Sequence, residues 1–222
     1  MTEQARTIRL PEGTSRQWPR AALLLKRAID LGVALPLCLA LSPLFLLVAV
    51  AIKLNSRGPV FFRQQRRGLG FRKFTILKFR SLRHAAPDPH GRYEMNEHDP
   101  RITRVGEWIR RTSLDELPQL LNVIAGSMSL VGPRPLVEWE SRDCLATHPE
   151  RFLVKPGITG LSQIHVRNAV DLDARSDWDV EYVRRWSVSL DLAILLQTPF
   201  RVFRTDAIYP SPPSRGTVHD GE

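Results

Sequence analysis

The sequence predicts a mainly α protein with a small β-hairpin (α+β), in which an N-terminal helix-break-helix meets a membrane and one compact domain follows. Three observations predict it. The apolar run Leu31 to Ile52 is 22 residues long, enough to cross a hydrocarbon core of about 30 Å as a straight helix. Residues Gly58 to Arg63 and Phe71 to Arg80 alternate apolar with polar around Gly68-Leu69-Gly70, the pattern of a hairpin. Further on, Leu117, Leu120, Leu121 and Ile124 recur at i, i+3, i+4 and i+7, the period of a helix with one buried face.

Taken in order, residues 1–19 are polar and read as a flexible N-terminus, and residues 20–56 hold the membrane element. Pro36 and Ser42-Pro43 interrupt the apolar run, and proline lacks the N–H that a helix interior needs. Basic residues flank both ends, Arg20, Lys26 and Arg27 before and Lys53, Arg57 and Arg63 after, so the positive-inside rule draws both ends to the cytoplasm. A re-entrant segment that enters, bends at Ser42-Pro43 and returns satisfies both facts; a single crossing helix is the alternative. A signal peptide fits less well, because the run is long and Lys53 to Arg57 offers no cleavage context.

Residues 57–205 read as one domain, since 222 residues with 43% hydrophobic content bury a single sizeable core. Within it, residues 84–100, with Pro87, Pro89 and Gly91, form a polar loop. Val105, Trp108, Ile109 and Thr112 mark a helix, and Gly126 closes the next one. From Asp177 to Phe203, Trp178, Tyr182, Val183, Trp186, Leu190, Leu195 and Phe200 mix with Arg184, Arg185 and Arg201, which suits either helices on a membrane surface or amphipathic core helices. Residues 206–222 read as a disordered tail.

The formal charge of +9 is concentrated. Residues 57–83 hold nine Lys or Arg and no Asp or Glu; the 23 basic residues elsewhere balance the 23 acidic ones. Such a stretch beside an apolar run points to anionic lipid headgroups or a phosphorylated substrate, with nucleic acid as the competing partner. Two cysteines, Cys38 and Cys144, make no disulfide framework and suit a reducing setting. Neither they nor the six histidines show metal-ligand spacing, so no structural zinc is expected.

Asp115 and Glu116 stand together in Thr112-Ser113-Leu114-Asp115-Glu116-Leu117-Pro118-Gln119. Ser113 with Glu116 three residues later has the form of a capping box, which would make the carboxylates a helix start and nothing more. The chemical alternative is compatible with it: a helix N-terminus binds phosphate and keeps a neighbouring carboxylate ionised, the position a nucleophilic aspartate attacking phosphorus would occupy.

Eight segments in one order resemble a known family: Lys26-Arg27 to Asp30; the apolar run with Ser42-Pro43; Gly58-Pro59-Val60-Phe61-Phe62; Lys78-Phe79-Arg80-Ser81; Asp99 to Gly106; Thr112 to Gln119; Met128-Ser129-Leu130-Val131-Gly132-Pro133-Arg134-Pro135; and Lys155-Pro156-Gly157-Ile158-Thr159-Gly160. Together, from about Lys26 to about Phe203, they are similar to the bacterial sugar transferases, the monotopic phosphoglycosyl transferases, in their small form. The resemblance implies an enzyme of the bacterial inner membrane with its catalytic domain on the cytoplasmic face. Its partners would be a UDP-sugar, polyprenol phosphate and anionic membrane lipids, without nucleic acid and with room for a homo-oligomer. It implies Asp115 as nucleophile and Mg²⁺ ligand, and Glu116 as acid or base. Lys78, Arg80, Arg110 and Arg134 would bind substrate phosphate, with Pro133, Gly157, Thr159, Gln163, Arg167 and Asp179 in the nucleotide-sugar region. Guanidinium forks suit phosphate oxygens, and attack on phosphorus needs an ionised oxygen and a neutralised diphosphate.

Two departures stand out. Where the family usually reads Gly-Leu-Ala-Gln-Val-Asn-Gly-Arg, this chain has Gly160-Leu161-Ser162-Gln163-Ile164-His165-Val166-Arg167, and Ser127 replaces a common acidic residue. Val166 disfavours a positive φ, so this loop is expected to differ in shape. The non-enzyme readings are a membrane-tethered nucleic-acid binder built on residues 57–83 and a catalytically silent scaffold for glycan assembly.

Overall fold

The computed structural model describes residues 18–83, 99, 101–166 and 172–202; the predicted N-terminal segment, most of the loop at 84–100 and the C-terminal tail lie outside these. The elements are α1 (Arg20–Ala40), α2 (Ser42–Asn55), β1 (Phe61–Arg67), β2 (Lys73–Phe79), α3 (Arg104–Arg111), α4 (Gln119–Ala125), β3 (Ser129–Val131), α5 (Glu138–Thr147), β4 (Gly157–Thr159), α6 (Leu161–His165), α7 (Leu172–Arg185) and α8 (Val188–Val202). The result is mostly helical with a small antiparallel sheet.

The apolar run folds as two helices bent by 58°, and the local chemistry explains where. Pro43 has no N–H to offer the carbonyl of Leu39, one turn back, and the hydroxyl of Ser42 takes that carbonyl instead at 2.7 Å. Pro43 itself sits in the first turn of α2, where its missing donor costs nothing. Pro36, also read as a break, is accommodated inside α1. Leu35, Leu39, Leu46, Leu47 and Leu54 are exposed, while Ala34, Val48 and Ile52 are buried against the rest of the protein. Neither helix alone is long and apolar enough to cross a membrane, but the bent pair is so by length and composition.

The first turns of α1 carry the polar anchor of this pair. Lys26 Nζ donates to Asp191 Oδ2 on α8 at 2.6 Å and to the Val131 carbonyl at 3.0 Å. Tyr182 and the Trp186 indole N–H also donate to Asp191, at 2.7 and 3.2 Å. Arg27 donates to the Val123 and Ile124 carbonyls at 2.6 and 2.9 Å, filling orphan acceptors at the end of α4. Buried Asp30 accepts from Ser129 Oγ and the Leu130 N–H. Three polar side chains within five residues thus tie α1 to α4, β3 and α8.

β1 and β2 form the expected hairpin, antiparallel from Phe61 opposite Phe79 to Arg67 opposite Lys73. A second, parallel pair, β3 with β4, joins Ser129–Val131 to Gly157–Thr159; strands of three residues leave too little alternation to be read from sequence. The main core gathers Ile76, Leu120, Val123, Met128, Leu130, Val131, Leu161, Ile164, Tyr182, Val183, Trp186 and Ile194. Of the two readings for residues 177–203, the core one holds for Val180, Tyr182, Val183, Trp186 and Ile194, while Leu192, Leu196 and Phe200 remain exposed on α8. A second cluster seats Val48 and Ile52 of α2 on Phe79 and Ile109, with Leu114 at its edge.

Removing Lys26 alone leaves Asp191 charged and buried, a change that typically costs about 3–5 kcal/mol. Lys26→Met is therefore expected to lower the denaturation midpoint of the detergent-purified protein strongly, and Lys26→Met with Asp191→Leu to recover part of the loss. A single variant as stable as wild type would remove the anchor role.

Candidate active site

The Asp115-Glu116 pair follows a local structure that the capping-box reading missed. Ser113 takes a left-handed conformation (φ 56°, ψ 16°) and makes no side-chain cap; residues Leu114–Glu116 form one 3-10 turn, and α4 begins only at Gln119. The capping-box expectation is therefore corrected: Pro118, with no N–H to pair, separates the turn from the helix. The helical stripe is shortened accordingly, with Leu120 and Val123 buried and Leu121 at the surface. Leu114 packs in the cluster of Val48, Ile52, Phe79 and Ile109, so the apolar helix pair seats the turn that carries the carboxylates.

The two carboxylates have unlike surroundings. Glu116 Oε1 accepts from Lys78 Nζ at 2.7 Å and from Arg134 at 3.2 Å. Burial raises its pKa, but the Lys78 and Arg134 charges and their hydrogen bonds outweigh burial and hold it well below the usual carboxylate range. Asp115 makes no hydrogen bond or ion pair with any other described residue. Its carboxyl is raised from 3.8 to about 6, first by burial and then by the Glu116 charge, against Lys78, Arg110 and Arg134, which pull it down. One carboxylate is spent on two cations; its neighbour keeps its oxygens open.

Each cation is set by a separate part of the chain. Lys78 lies on β2, whose backbone is pinned to α4 by Asn122: its Oδ1 accepts from the Leu77 N–H at 2.9 Å and its Nδ2 donates to the Thr75 carbonyl at 2.7 Å. Arg134 follows β3. There Gly132 and Gly157 meet so closely that a Cβ on Gly132 would stand 2.3 Å from the Lys155 carbonyl oxygen, and one on Gly157 2.1 Å from the Gly132 nitrogen; only glycine fits. The Gly157 N–H donates to the Pro133 carbonyl, and Arg151 to the Arg134 carbonyl at 3.0 Å. Arg110 closes the last turn of α3 and lies close enough for its charge to act on Asp115.

Several residues expected at the substrate have partners within the protein. Arg80 is buried and donates to the Arg57 carbonyl and, at 2.8 Å, to that of Ser56; it locks the exit of α2. Asp179 is buried and pairs with Arg151 at 2.6 Å and Ser162 Oγ at 2.7 Å. Thr159 Oγ1 pairs with Thr198, and Gln163 Nε2 donates to the Ile158 carbonyl. Pro133, Gly157, Thr159, Gln163 and Asp179 thus form the strut that presents Arg134. Arg167 lies outside the described residues. Val166 needs no positive φ, being at −128° as the cap of α6, and His165 stacks on Trp178 with ring centroids 4.1 Å apart. Ser127 donates to the Asn122 carbonyl at 3.2 Å. Arg151 and Asn122, which set both cations, lay outside the resembling motifs; spacing alone gives no signal for side chains that pair across 28 and 47 residues.

A partly buried carboxylate with no hydrogen bond or ion pair among the described residues, framed by three cations, can accept a phosphoryl group. Among the described residues no three His, Cys, Asp or Glu gather as metal ligands. One open carboxylate still suits Mg²⁺, which takes one or two protein carboxylates and completes its shell with substrate phosphates and water.

Residues 21–205 match the sequence model of the bacterial sugar transferases, and the chain belongs to that family. Its relatives include the undecaprenyl-phosphate glucose phosphotransferase of Komagataeibacter xylinus, 46% identical over 79% of this chain and 35% of that protein. UDP-glucose:undecaprenyl-phosphate glucose-1-phosphate transferases are 42% identical in Escherichia coli, over 84% of this chain and 42% of the relative, and 42% identical in Caulobacter vibrioides, over 86% and 74%. The chain thus spans less than half the length of the first two relatives.

The raised Asp115 carboxyl has a stability consequence. Because its folded value exceeds its unfolded one, ionisation weakens the fold as pH rises from about 4 to about 6. Asp115→Asn should therefore melt higher than wild type at pH 8, by about 2–4 °C for each 1 kcal/mol relieved, and the gain should fade toward pH 4. Glu116→Gln, which strands Lys78 and Arg134, should melt lower at pH 8. An Asp115→Asn protein less stable than wild type at pH 8 would contradict the burial argument.

Proposed function

We propose that this protein moves a phosphosugar from a UDP-sugar to polyprenol (undecaprenyl) phosphate, giving polyprenol diphosphate sugar and UMP. This would be a first membrane step of exopolysaccharide, capsule, O-antigen or glycoconjugate assembly. The observation that carries it is the division of the dyad, an open Asp115 beside a Glu116 held by Lys78 and Arg134. The names of the relatives support UDP-glucose as the donor.

In this reading an Asp115 oxygen attacks the phosphorus that bears the sugar. The bond to the bridging oxygen breaks, and its electron pair leaves with UMP. Polyprenol phosphate then attacks the phosphosugar on Asp115, and the aspartate carboxylate is regenerated. Lys78, Arg110 and Arg134 hold the phosphoryl oxygens and offset their charge. Asp115 would hold Mg²⁺ together with the diphosphate oxygens, and the ion when bound would supply charge neutralisation for the approach of two anions. Glu116 is best assigned to orienting the two cations, because a carboxyl held so acidic has no proton to give near neutral pH.

The membrane reading follows from the same molecule. The exposed apolar faces of α1 and α2 would enter the inner membrane and return at the 58° bend, leaving the catalytic domain on the cytoplasmic face near anionic headgroups. Nothing in the site favours the nucleic-acid-binding or scaffold readings, for Arg66, Arg67, Lys78 and Arg80 of the basic stretch are engaged within the protein.

If Asp115 carries the phosphosugar, incubation with UDP-glucose and Mg²⁺ without polyprenol phosphate should leave the protein heavier by one phosphohexose, read by intact mass after acid quench. Asp115→Asn should show no gain and at least about a thousandfold lower turnover. An unchanged wild-type mass, with UMP released only when both substrates are present, would replace the covalent route by direct transfer.

For topology, cysteines introduced before Arg20 and after Phe203 should both resist a membrane-impermeant thiol reagent applied from the periplasm. Labelling of the N-terminal one would establish a crossing helix instead.

A further inference from the structure

Beyond the dyad, α7 presents a partly buried cation, Arg175. Its side chain makes no hydrogen bond or ion pair with any described residue, and its Nε is buried without a partner among them. It lies one turn before Asp179, whose partner Arg151 also holds the Arg134 carbonyl, so this face of α7 looks toward the active-site strut. Arg66, at the end of β1, also lies near Arg134: its guanidinium donates to the Pro135 carbonyl at 3.2 Å and to Gln64 Oε1 at 2.5 Å, and only its Nε is without a partner among the described residues.

Burial, and then the Arg134 charge, lower both guanidiniums, Arg66 to about 10. The nearby carboxylate, Glu140, stands 4.0 Å from Arg66 and accepts from the Val137 N–H at the start of α5. Glu140 acts on both Arg66 and Arg175, with Glu116 adding to the first and Asp179 to the second, while Arg134 is paired with Glu116. Desolvating a cation without an anion is costly, and such groups in native proteins call for a ligand or another explanation.

We propose that Arg175 and Arg66, with Arg134 between them and the dyad, form a second phosphate site that holds the phosphate of the departing nucleoside monophosphate. The identity of that anion rests on the phosphosugar-transfer reading; the anion site itself does not. A diphosphate has two phosphoryl groups, and the geometry offers two receivers that share Arg134: Lys78 and Arg110 around Asp115 on one side, Arg66 and Arg175 on the other. When the bridging P–O bond breaks, the electron pair stays on the monophosphate, whose negative charge rises by one. The Arg175 guanidinium and the Arg66 charge, held in place by Pro135 and Gln64, meet that charge as it develops.

The test uses the full chain in detergent, titrated calorimetrically with inorganic diphosphate, UMP and uridine. Wild type is expected to bind diphosphate and UMP more tightly than uridine. Arg175→Gln and Arg66→Gln should each weaken diphosphate and UMP at least about tenfold, the usual loss for a charged hydrogen bond, and leave uridine within twofold. Arg175→Lys should fall between, keeping the charge but not the fork. Arg175→Gln should melt no lower than wild type, since it removes a desolvated cation with no hydrogen bond or ion pair among the described residues. Binding of diphosphate and UMP within twofold of wild type in Arg175→Gln overturns the proposal, and so does a loss of binding that comes with a clearly lower melting point. Arg175-dependent binding of diphosphate without any binding of UMP would keep the anion site and reject the uridine donor. UMP release at wild-type rates from Arg175→Gln would keep the transfer reading and reject this site.

Discussion

Everything at the candidate site turns on one carboxylate. Glu116 Oε1 is shared by Lys78 of β2 and Arg134 beyond β3, so a single oxygen draws together the hairpin, the 3-10 turn and the strut behind Arg134. The shared contact also separates two chemically identical groups. By absorbing the nearest positive charge, Glu116 is fixed as an anion, while Asp115, one residue earlier, is left with burial as the dominant influence and an open face. Adjacent carboxylates thereby divide into one that organises and one that is able to react, the division expected where neighbouring titratable groups are pushed apart by their environments.

The contact holds only if its three supports hold, and each has its own cause. Asn122 replaces a missing strand neighbour for β2. Gly132 and Gly157 permit a backbone crossing that any side chain would forbid. Arg151, itself ion-paired to Asp179 with both side chains almost fully buried, holds the carbonyl of Arg134. These supports lie in the protein interior, where a displaced side chain has no room to relax. A substitution at Asp179 should thus reach the site through Arg151.

The apolar helix pair is part of the same construction. Lys26, Arg27 and Asp30 lock α1 to α8, α4 and β3, while Val48 and Ile52 of α2 sit on Ile109 and Leu114, either side of the turn that leads to Asp115. Arg80 closes the exit of α2 from the opposite strand. The outer face of this segment is apolar, and its inner face supports the turn that carries Asp115 and Glu116.

By itself the sequence determined the apolar run and its break near Ser42-Pro43, the hairpin around Gly68 to Gly70, the end of a helix at Gly126 and the pairing of Asp115 with Glu116. All of these are local, set by proline's missing donor, by period-two alternation, by glycine at a left-handed cap and by adjacency in the chain. The resembling motifs offered Lys78, Arg110 and Arg134 as phosphate binders, and the fold brings their charges to bear on Asp115. Tertiary structure alone decided that Ser113 caps nothing, that Arg80, Thr159, Gln163 and Asp179 turn inward, that β3 pairs with β4 and that the Arg175 Nε is buried without a partner among the described residues. The physical reason is common to these cases. A side chain's partner is chosen by what the fold brings within hydrogen-bonding distance across tens of residues, and neither spacing nor residue type encodes that distance.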